Sequence, residues 1–254
     1  MNQNDLKKIA SLAQTKYRKK HGLFIVEGLH SVSELAKSSW KIAYIIATHE
    51  NALSAELSPL LEILNRRQIP VERVSEKEFS RLASTETPQG IMAVVDLPEV
   101  NLGQFRALKR IIIADGIADP GNLGTIIRST VAFGFEGLIT TPGSADIFNP
   151  KTVRATQGAL FSIIVANHAE TPDIIAELKS SHKFYALTTH TGIDIKSIQA
   201  NPKIVLIVGA EINGISEPLL AATDIKTRIP MTGPVESLNA AMAASIAMYQ
   251  LNSR

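Results

Sequence analysis

The chain of 254 residues contains no cysteine, which excludes disulfides, thiolate metal sites and cysteine nucleophiles. Its six histidines show no HExxH or comparable ligand spacing, so we expect no metal site. No apolar run approaches the roughly 20 residues that are needed to span a bilayer. The first residues also lack the apolar stretch of a signal peptide. These absences lead us to expect a cytoplasmic protein that is not held in a membrane.

The net charge is only +2, but basic residues are concentrated near the N-terminus. Residues 1–28 contain six lysines or arginines and only two acidic residues. Within them, Lys16, Arg18, Lys19 and Lys20 surround a tyrosine. Cations interleaved with an aromatic ring suit phosphate contact combined with base stacking, and hence RNA binding. The alternative is a solvated helix end, at which cations oppose the negative end of the helix dipole. The charge pattern leaves both interpretations open.

The first half of the chain alternates helical and extended patterns. Leu6, Ile9, Ala10 and Ala13 lie at helical spacing and predict one helix over 5–20, ended by Gly22. Further helices are predicted at 31–37, 57–67 and 75–82, the last with Ser75 and Glu78 as a capping box, and strands at 23–26, 42–46, 71–74 and 90–95.

Residues 99–107 show no clear period, and we interpret them as a linker between domains at 1–98 and 108–254. The second domain opens with a strand at 111–114 that is apolar on both faces, as inside a parallel sheet. Strands alternating with helices predict an α/β domain with a mainly parallel sheet. The predicted strands are 137–140, 162–165, 184–188, 204–208 and 227–229, and the predicted helices are 123–133, 151–158, 173–180 and 239–252.

Three short blocks stand where predicted strands end, and the carboxyl ends of strands are where open α/β proteins bind ligands. The block at 115–128 reads Asp-Gly-Ile-Ala-Asp-Pro-Gly-Asn-Leu-Gly-Thr-Ile-Ile-Arg; it lacks the lysine of a P-loop and does not match GxGxxG. The block at 209–214 reads Gly-Ala-Glu-Ile-Asn-Gly, and the block at 229–239 reads Ile-Pro-Met-Thr-Gly-Pro-Val-Glu-Ser-Leu-Asn. Each block alone is a weak signal.

The polar residues of these blocks also have purely structural interpretations. Asn122 suits a helix cap, and Glu211 could cap the segment that follows it. Ser237 or Asn239 could be the N-cap of the last helix. Arg128, in the second turn of a predicted helix, could simply form a surface ion pair.

In this order, the three blocks resemble the motifs of the SpoU (TrmH-type) RNA ribose 2′-O-methyltransferases, a branch of the SPOUT superfamily. The stretch 149–161, Asn-Pro-Lys-Thr-Val-Arg-Ala-Thr-Gln-Gly-Ala-Leu-Phe, is also similar to that family. The resemblance is strong over 108–254. Residues 15–95, which include Phe-Ile-Val-Glu-Gly at 24–28, resemble more loosely the substrate-binding domain often fused in front. Two mild departures are Ala210, where many members have Asn, and Thr156, where Ser is common.

The resemblance implies an α/β fold with a C-terminal trefoil-knotted SPOUT methyltransferase domain behind a smaller N-terminal α/β RNA-binding domain. It implies S-adenosylmethionine as cofactor, a homodimer, and RNA as substrate, with ribosomal RNA favoured over tRNA. The absence of a metal and of a membrane partner is expected from the residue patterns given above, not from the resemblance. Three alternatives stay open: a tRNA ribose methyltransferase, a catalytically silent RNA-binding relative, and a base-directed SPOUT methyltransferase, which fits the third block poorly.

The resemblance also assigns roles by motif position. Because a guanidinium stays protonated in proteins, we expect Arg128 to bind a neighbouring phosphate and stabilise a developing alkoxide rather than act as a base. The catalytic candidates are Asn122, Arg128, Glu211, Ser237 and Asn239; the cofactor-binding candidates are Leu187, Thr188, Gly209, Ile229, Met231, Ser237 and Leu238; and the RNA-binding candidates are Lys16, Arg18, Lys19, Lys20, Lys151 and Arg154.

Overall fold

The computed structural model describes residues 1–53, 57–99, 101–199 and 201–252. The chain forms two compact units. The first contains Met1–Glu99 together with Phe148–Ser162, and the second contains Val100–Ile147 together with Ile163–Arg254. The domain boundaries proposed from the sequence stay a prediction. Among the described residues, no helix is both long enough and apolar enough to cross a membrane.

The elements alternate along the chain as the hydrophobic pattern predicts. The helices are α1 (Gln3–Ser11), α2 (Thr15–His21), α3 (Leu29–Lys37), α4 (Ser58–Arg66), α5 (Glu76–Ser80), α6 (Pro120–Ala132), α7 (Pro150–Ala155), α8 (Thr171–Leu178), α9 (Glu217–Ala221) and α10 (Ala240–Asn252). The strands are β1 (Leu23–Glu27), β2 (Ile42–Thr48), β3 (Val71–Val74), β4 (Ile91–Asp96), β5 (Arg110–Asp115), β6 (Gly137–Thr140), β7 (Ile164–Ala166), β8 (Lys183–Leu187), β9 (Ile193–Asp194), β10 (Ile204–Gly209) and β11 (Ile225–Arg228).

The first unit is built on a four-stranded mixed sheet in the order β1-β4-β2-β3. Strand β4 is antiparallel to β1 and β2, whereas β2 and β3 are parallel. The apolar face of α1 contributes Leu6 and Ile9 to a core that also contains Phe79 of α5. The capping box predicted for α5 is confirmed, since Ser75 and Glu78 each bond the other's backbone N–H.

The single helix predicted over 5–20 is wrong, because the chain turns between α1 and α2. One guanidinium nitrogen of Arg18 donates to the carbonyl oxygens of Leu12 and Ala13, each at 2.8 Å. The arginine therefore satisfies carbonyl groups that the end of α1 leaves without helical partners. Arg18 is only 1% exposed. Its prediction as an RNA-binding residue is wrong, because its side chain is committed to the turn inside the protein.

The segment Phe148–Ser162 completes an aromatic cluster in the first unit. The ring centroid of Phe148 lies 5.0 Å from that of Phe24, and Phe161 lies 5.5 Å from Trp40 in an edge-to-face arrangement. Phe24 and Trp40 themselves are 5.9 Å apart. Aromatic pairs at these separations attract each other beyond the burial of their area. The segment is therefore part of the hydrophobic packing of this unit.

The second unit contains a seven-stranded, wholly parallel sheet in the order β7-β6-β5-β10-β8-β11-β9. The predicted α/β class with a parallel sheet is confirmed, and the knot stays a prediction. Strands β5 and β10 lie near the centre and are buried on both faces. Residues Leu102–Ala107, which showed no period in the sequence, form a 3-10 helix whose Phe105 is buried in this unit's core. The short elements β9 and α9 were not predicted from the sequence.

Candidate active site

The first two sequence blocks begin side by side at the carboxyl ends of two neighbouring strands. Strands β5 and β10 are parallel, and their last residues, Asp115 and Gly209, are register partners. The loops that follow therefore leave the sheet at the same edge. The third block follows β11, which is parallel to the same strands within the sheet.

The buried carboxylate of Asp115 joins the loop that follows β6 to the loop that follows β10. It is 6% exposed and accepts hydrogen bonds from the Thr141 hydroxyl and from the Ser216 backbone N–H, both at 2.6 Å. Thr141 follows β6, and Ser216 follows the 209–214 block. We did not select Asp115 from the sequence, although an acidic residue directly after a buried apolar strand was an available signal.

The block at 209–214 is a tight turn that only glycine permits at its first position. Ala210 N–H donates to the Gly214 carbonyl at 3.1 Å, and Gly214 N–H donates back to the Ala210 carbonyl at 2.9 Å. A Cβ on Gly209 would lie 2.2 Å from the Gly214 carbonyl carbon, which no real contact allows. Gly214 itself has a φ of +64°, in the left-handed region that favours glycine.

Three of the predicted catalytic residues meet in one hydrogen-bonded network. Asn239 Nδ2 donates to Glu211 Oε1 at 2.8 Å and to Asn122 Oδ1 at 3.0 Å. The same Glu211 oxygen accepts from Asn122 Nδ2 and from Ala240 N–H, both at 3.3 Å. One residue from each of the three sequence blocks thus contributes to a single cluster, which we call the Asn-Glu-Asn network.

An Asn122 side chain that capped α6 could not join the Asn-Glu-Asn network, so the identity of the cap matters. Asp119, not Asn122, caps α6, because its Oδ1 accepts the Asn122 N–H at 2.7 Å. The helix-cap interpretation of the Asn122 side chain is therefore wrong. Asn239 does both: its Oδ1 accepts the N–H groups of Ala241 and Met242 at the start of α10, while its Nδ2 serves the network. The position of the last helix and the geometry of the site are therefore linked through one side chain.

Arg128 stands apart from this network. It lies on α6, is exposed, and makes no hydrogen bond or ion pair with any residue that the structure describes. The surface ion pair expected as its structural interpretation is therefore absent from the described part of the chain. A guanidinium in this situation is available to an anion that comes from outside.

All seven predicted cofactor-binding residues line one cavity of about 280 Å³ in the second unit. Its wall combines aliphatic side chains with the backbone of the 209–214 turn, a mixture typical of small-molecule sites. The lining includes Leu187, Thr188, Gly209, Ile229, Met231, Ser237 and Leu238, together with Glu211 of the network.

A second cavity of about 580 Å³ is also lined by residues of this turn. It shares Ala210, Glu211, Asn213, Gly214 and Ala240 with the first. Its remaining wall comes from the first sequence block and the loop after β6, including Asp115, Asp119, Asn122 and Gly143. Sequence reasoning gave no indication of this second space. No group of three or more His, Asp or Glu side chains suited to a metal ion occurs in the described ranges.

The predicted RNA-binding residues other than Arg18 lie on the surface of the first unit. Lys16, Lys19 and Lys20 are exposed on α2, and Lys151 is exposed on α7. Arg154 is half-buried and donates to the Ser84 hydroxyl at 2.8 Å, and that hydroxyl donates to the Glu27 carboxylate at 2.7 Å.

The sequence matches two known families, one in each half. Residues 109–249 match the SpoU rRNA Methylase family. Residues 3–93 match the MRM3-like substrate binding domain.

Two relatives match nearly the whole chain. A 23S rRNA (guanosine(2553)-2′-O)-methyltransferase of Bacillus subtilis is 36% identical over 93% of this chain and 91% of its own length. A 23S rRNA (uridine(2479)-2′-O)-methyltransferase of Streptomyces viridochromogenes is 28% identical over 95% of this chain and 86% of its own.

Solved structures agree with these sequence matches. An rRNA methyltransferase from Sinorhizobium meliloti with bound AdoMet superimposes with a TM-score of 0.87 at 29% identity, covering 99% of this chain and 95% of that one. The SpoU methyltransferase AviRb from Streptomyces viridochromogenes, in complex with AdoMet, gives a TM-score of 0.88 at 25% identity and covers 100% and 98%.

Proposed function

The chain belongs to the SpoU rRNA Methylase family, and we propose that it transfers a methyl group from S-adenosylmethionine to a ribose 2′-hydroxyl of 23S rRNA. One observation carries the proposal: the Asn-Glu-Asn network borders the cavity lined by every residue that the family motifs assign to the cofactor. Two relatives that cover 93% and 95% of this chain are named for ribose 2′-O-methylation of 23S rRNA.

The residues around the first cavity fit a nucleoside cofactor. Leu187, Ile229 and Leu238 offer apolar walls for a heteroaromatic ring, and the backbone that flanks Gly209 offers polar groups without an intervening side chain. When bound, S-adenosylmethionine supplies an electrophilic methyl group on a sulfonium centre. Ser237 lies in the same wall, close in sequence to the network residue Asn239, and could donate from its hydroxyl to a polar group of the cofactor.

The Asn-Glu-Asn network orients groups rather than removing a proton. Glu211 Oε1 already accepts from three donors, and Asn239 is fixed by both of its amide atoms. An unassisted ribose hydroxyl is a poor nucleophile, so holding it in line and stabilising the developing negative charge supply most of the rate enhancement. We assign the positioning role to Glu211, Asn122 and Asn239.

Arg128 supplies the positive charge in this proposal. It binds a phosphate next to the target ribose and stabilises the alkoxide electrostatically, because its guanidinium is exposed and has no partner among the described residues. We expect Arg128→Lys to lower kcat by roughly 100-fold, since a point charge cannot replace bidentate binding. Turnover of Arg128→Lys close to that of the wild type would argue against the phosphate role.

Methyl transfer to RNA tests the function directly. Purified protein is incubated with labelled S-adenosylmethionine and an unmodified 23S rRNA transcript, and the product nucleosides are identified and mapped. We expect one ribose-methylated nucleotide. A methylated base would identify a base-directed enzyme. Transfer only to tRNA would identify tRNA, rather than 23S rRNA, as the substrate. Cofactor binding without transfer to either RNA would identify a silent relative.

We also propose a homodimer, as the family resemblance implies. Met242, Ile246 and Tyr249 lie at i, i+4 and i+7 on α10 and are 57%, 41% and 59% exposed. Such spacing gives one continuous apolar stripe, which a soluble monomer rarely leaves uncovered. We expect sedimentation at the mass of a dimer for the wild type and of a monomer for Ile246→Glu. A wild-type monomer would refute the assignment.

The first unit binds the RNA in this proposal, through the exposed lysines of α2 and α7. Such contacts release counterions, so we expect the affinity for 23S rRNA to fall steeply as salt rises. The substitution of Lys16, Lys19 and Lys20 by alanine should flatten this dependence, whereas Lys77→Ala, an exposed lysine on α5, should leave it unchanged. We place the protein in the cytoplasm, where its rRNA substrate would be.

A further inference from the structure

Methionine thioethers are the oxidisable sulfur of this chain. The sequence contains five methionines and no cysteine, so no thiol reacts with an oxidant in their place. Met92 and Met248 are fully buried, whereas Met231 is half-buried and Met242 is 57% exposed. Met1 is also half-buried and packs against the core of the first unit. Because oxidation follows exposure, Met231 and Met242 are the two internal methionines that a small oxidant reaches.

Met231 differs from Met242 in what surrounds it. It lines the first cavity, in the wall that also contains Ile229 and Leu238. It follows the last residue of β11 by three positions, and residues 232–237 after it are exposed. Met231 therefore lies where the buried sheet passes into an exposed loop, within reach of a small solute and outside the helices and strands given above.

Oxidation changes the chemical character of this wall. Hydrogen peroxide transfers one oxygen atom to a thioether: the sulfur donates an electron pair to the new S–O bond, the O–O bond breaks, and water leaves. The product, methionine sulfoxide, is a polar and chiral side chain. In an apolar wall its oxygen has to keep a water molecule or find a hydrogen-bond donor. Either arrangement displaces a ligand that fits against the unmodified thioether.

We propose that Met231 is a site of reversible oxidation by peroxides, and that its sulfoxide weakens the binding of S-adenosylmethionine. The proposal rests on the proposed function, because it takes the first cavity as the cofactor site. It implies a reciprocal effect, in which a bound cofactor shields the Met231 sulfur from peroxide. The protein then loses activity to an oxidant only while it holds no cofactor, so the modification responds to cofactor supply and oxidant together.

Mass action gives the size of this protection. When the bound form does not react, the rate of oxidation is proportional to the fraction of protein without cofactor. At a cofactor concentration ten times Kd, that fraction is about one eleventh. We therefore expect S-adenosylmethionine at this concentration to slow sulfoxide formation at Met231 by roughly 10-fold. Met242, which lies on α10 and does not line the cavity, should oxidise at the same rate with and without cofactor.

The experiment treats the full-length protein with hydrogen peroxide, with and without S-adenosylmethionine, whose sulfonium does not consume the oxidant. Peptide mass spectrometry gives the rate of sulfoxide formation at each methionine. Samples oxidised without cofactor then pass to calorimetry, which gives Kd for S-adenosylmethionine before and after incubation with methionine sulfoxide reductases. The forms compared are the wild type, Met231→Leu, and the matched control Met242→Leu, which removes the other exposed internal methionine.

We expect peroxide to weaken S-adenosylmethionine binding by at least roughly 10-fold in the wild type and in Met242→Leu, and the reductases to restore it. Met231→Leu conserves volume, so it should bind within about threefold of the wild type before treatment. It should keep that affinity after treatment, because no thioether is left in the cavity wall to oxidise.

Each contrary result overturns a defined part. Equal rates of Met231 oxidation with and without cofactor overturn the shielding, and a Met231 sulfoxide that leaves Kd unchanged overturns the effect on binding. An equal loss of affinity in Met231→Leu, or a loss that the reductases do not reverse, assigns the damage to other chemistry and overturns the proposal. Absence of S-adenosylmethionine binding by the untreated wild type overturns the proposed function, and the role of Met231 falls with it.

Discussion

Removing the Asp115 side chain should destabilise the second unit far more than neutralising it. Asp115→Ala deletes the acceptor for both Thr141 and Ser216, and it leaves the buried Thr141 hydroxyl and the Ser216 N–H without this partner. Hydrogen bonds to a charged group contribute about 1.5–3 kcal/mol each. We therefore expect the free energy of unfolding to fall by about 3–5 kcal/mol.

Asp115→Asn keeps most of this geometry. The Asn oxygen can accept from Ser216, while its NH₂ group can donate to Thr141, whose hydroxyl oxygen also accepts the Gly116 N–H at 3.1 Å. Both contacts survive without the charge, but the Thr141 O–H loses the acceptor that Asp115 gave it, so we expect a loss of about 1–2 kcal/mol. The difference between the two variants is the informative quantity, because both remove the same carboxylate.

Urea unfolding at neutral pH, followed by circular dichroism, measures both variants, and calorimetry with S-adenosylmethionine reports the effect on the site. The matched control is Asp173→Ala, an exposed acidic residue in the first turn of α8, which should cost less than about 1 kcal/mol. Equal losses for Asp115→Asn and Asp115→Ala would refute the geometric reasoning, because the charge alone would then explain the stability.

Three further changes test other parts of the molecule. Gly209→Ala should weaken S-adenosylmethionine binding at least roughly 10-fold in calorimetry, because its Cβ displaces the turn, whereas Gly233→Ala, with no heavy atom within 4 Å, should bind normally. Burial lowers the pKa of His182, so the wild type should lose urea resistance as the pH falls from about 7.5 to about 5.5, and His182→Gln should lose less. Phe161→Ala should lower the stability of the first unit by about 3 kcal/mol and shift the emission of Trp40, the single tryptophan.

The sign of the His182 effect follows from where its proton binds. Burial penalises the charged imidazolium, so the folded protein binds the proton more weakly than the unfolded chain does. The contribution to stability is complete above the unfolded pKa of about 6.5 and is lost as the pH falls toward the lower folded pKa. A wild-type midpoint that is flat across this interval would contradict the argument.

Local pattern predicted the strands well because buried strands carry their own signal. The predicted bounds 71–74 and 137–140 coincide with β3 and β6, and the capping box of α5 follows from two residues three apart. The split between α1 and α2 was missed, because the spacing of apolar residues continues across it and the turn depends on where the Arg18 side chain goes. Strand β9 has two residues and no period, and it exists only through its pairing with β11.

In the candidate site, too, some residues could be predicted from the sequence and others are brought together only by the fold. Motif order, read as a family resemblance, selected every cofactor-binding candidate that the structure gathers around one cavity. No periodicity could have joined Asn122 to Asn239 across 117 positions. Asp115 was missed because its importance lies in two loops that converge on it, which a linear pattern does not contain.

Arg128 and the Asn-Glu-Asn network are separate because the roles that we propose for them, charge stabilisation and positioning, need different degrees of preorganisation. The network residues satisfy one another, so their orientation is set by the folded chain before any ligand arrives. Arg128 has no such partner among the described residues, and its orientation therefore depends on what binds. A group that is preorganised can position a hydroxyl, whereas an unpaired guanidinium gains a partner only when a phosphate enters. In the mechanism that we propose, the charge of Arg128 stabilises the alkoxide and is fully engaged only in the RNA complex, which would couple catalytic power to recognition of the substrate.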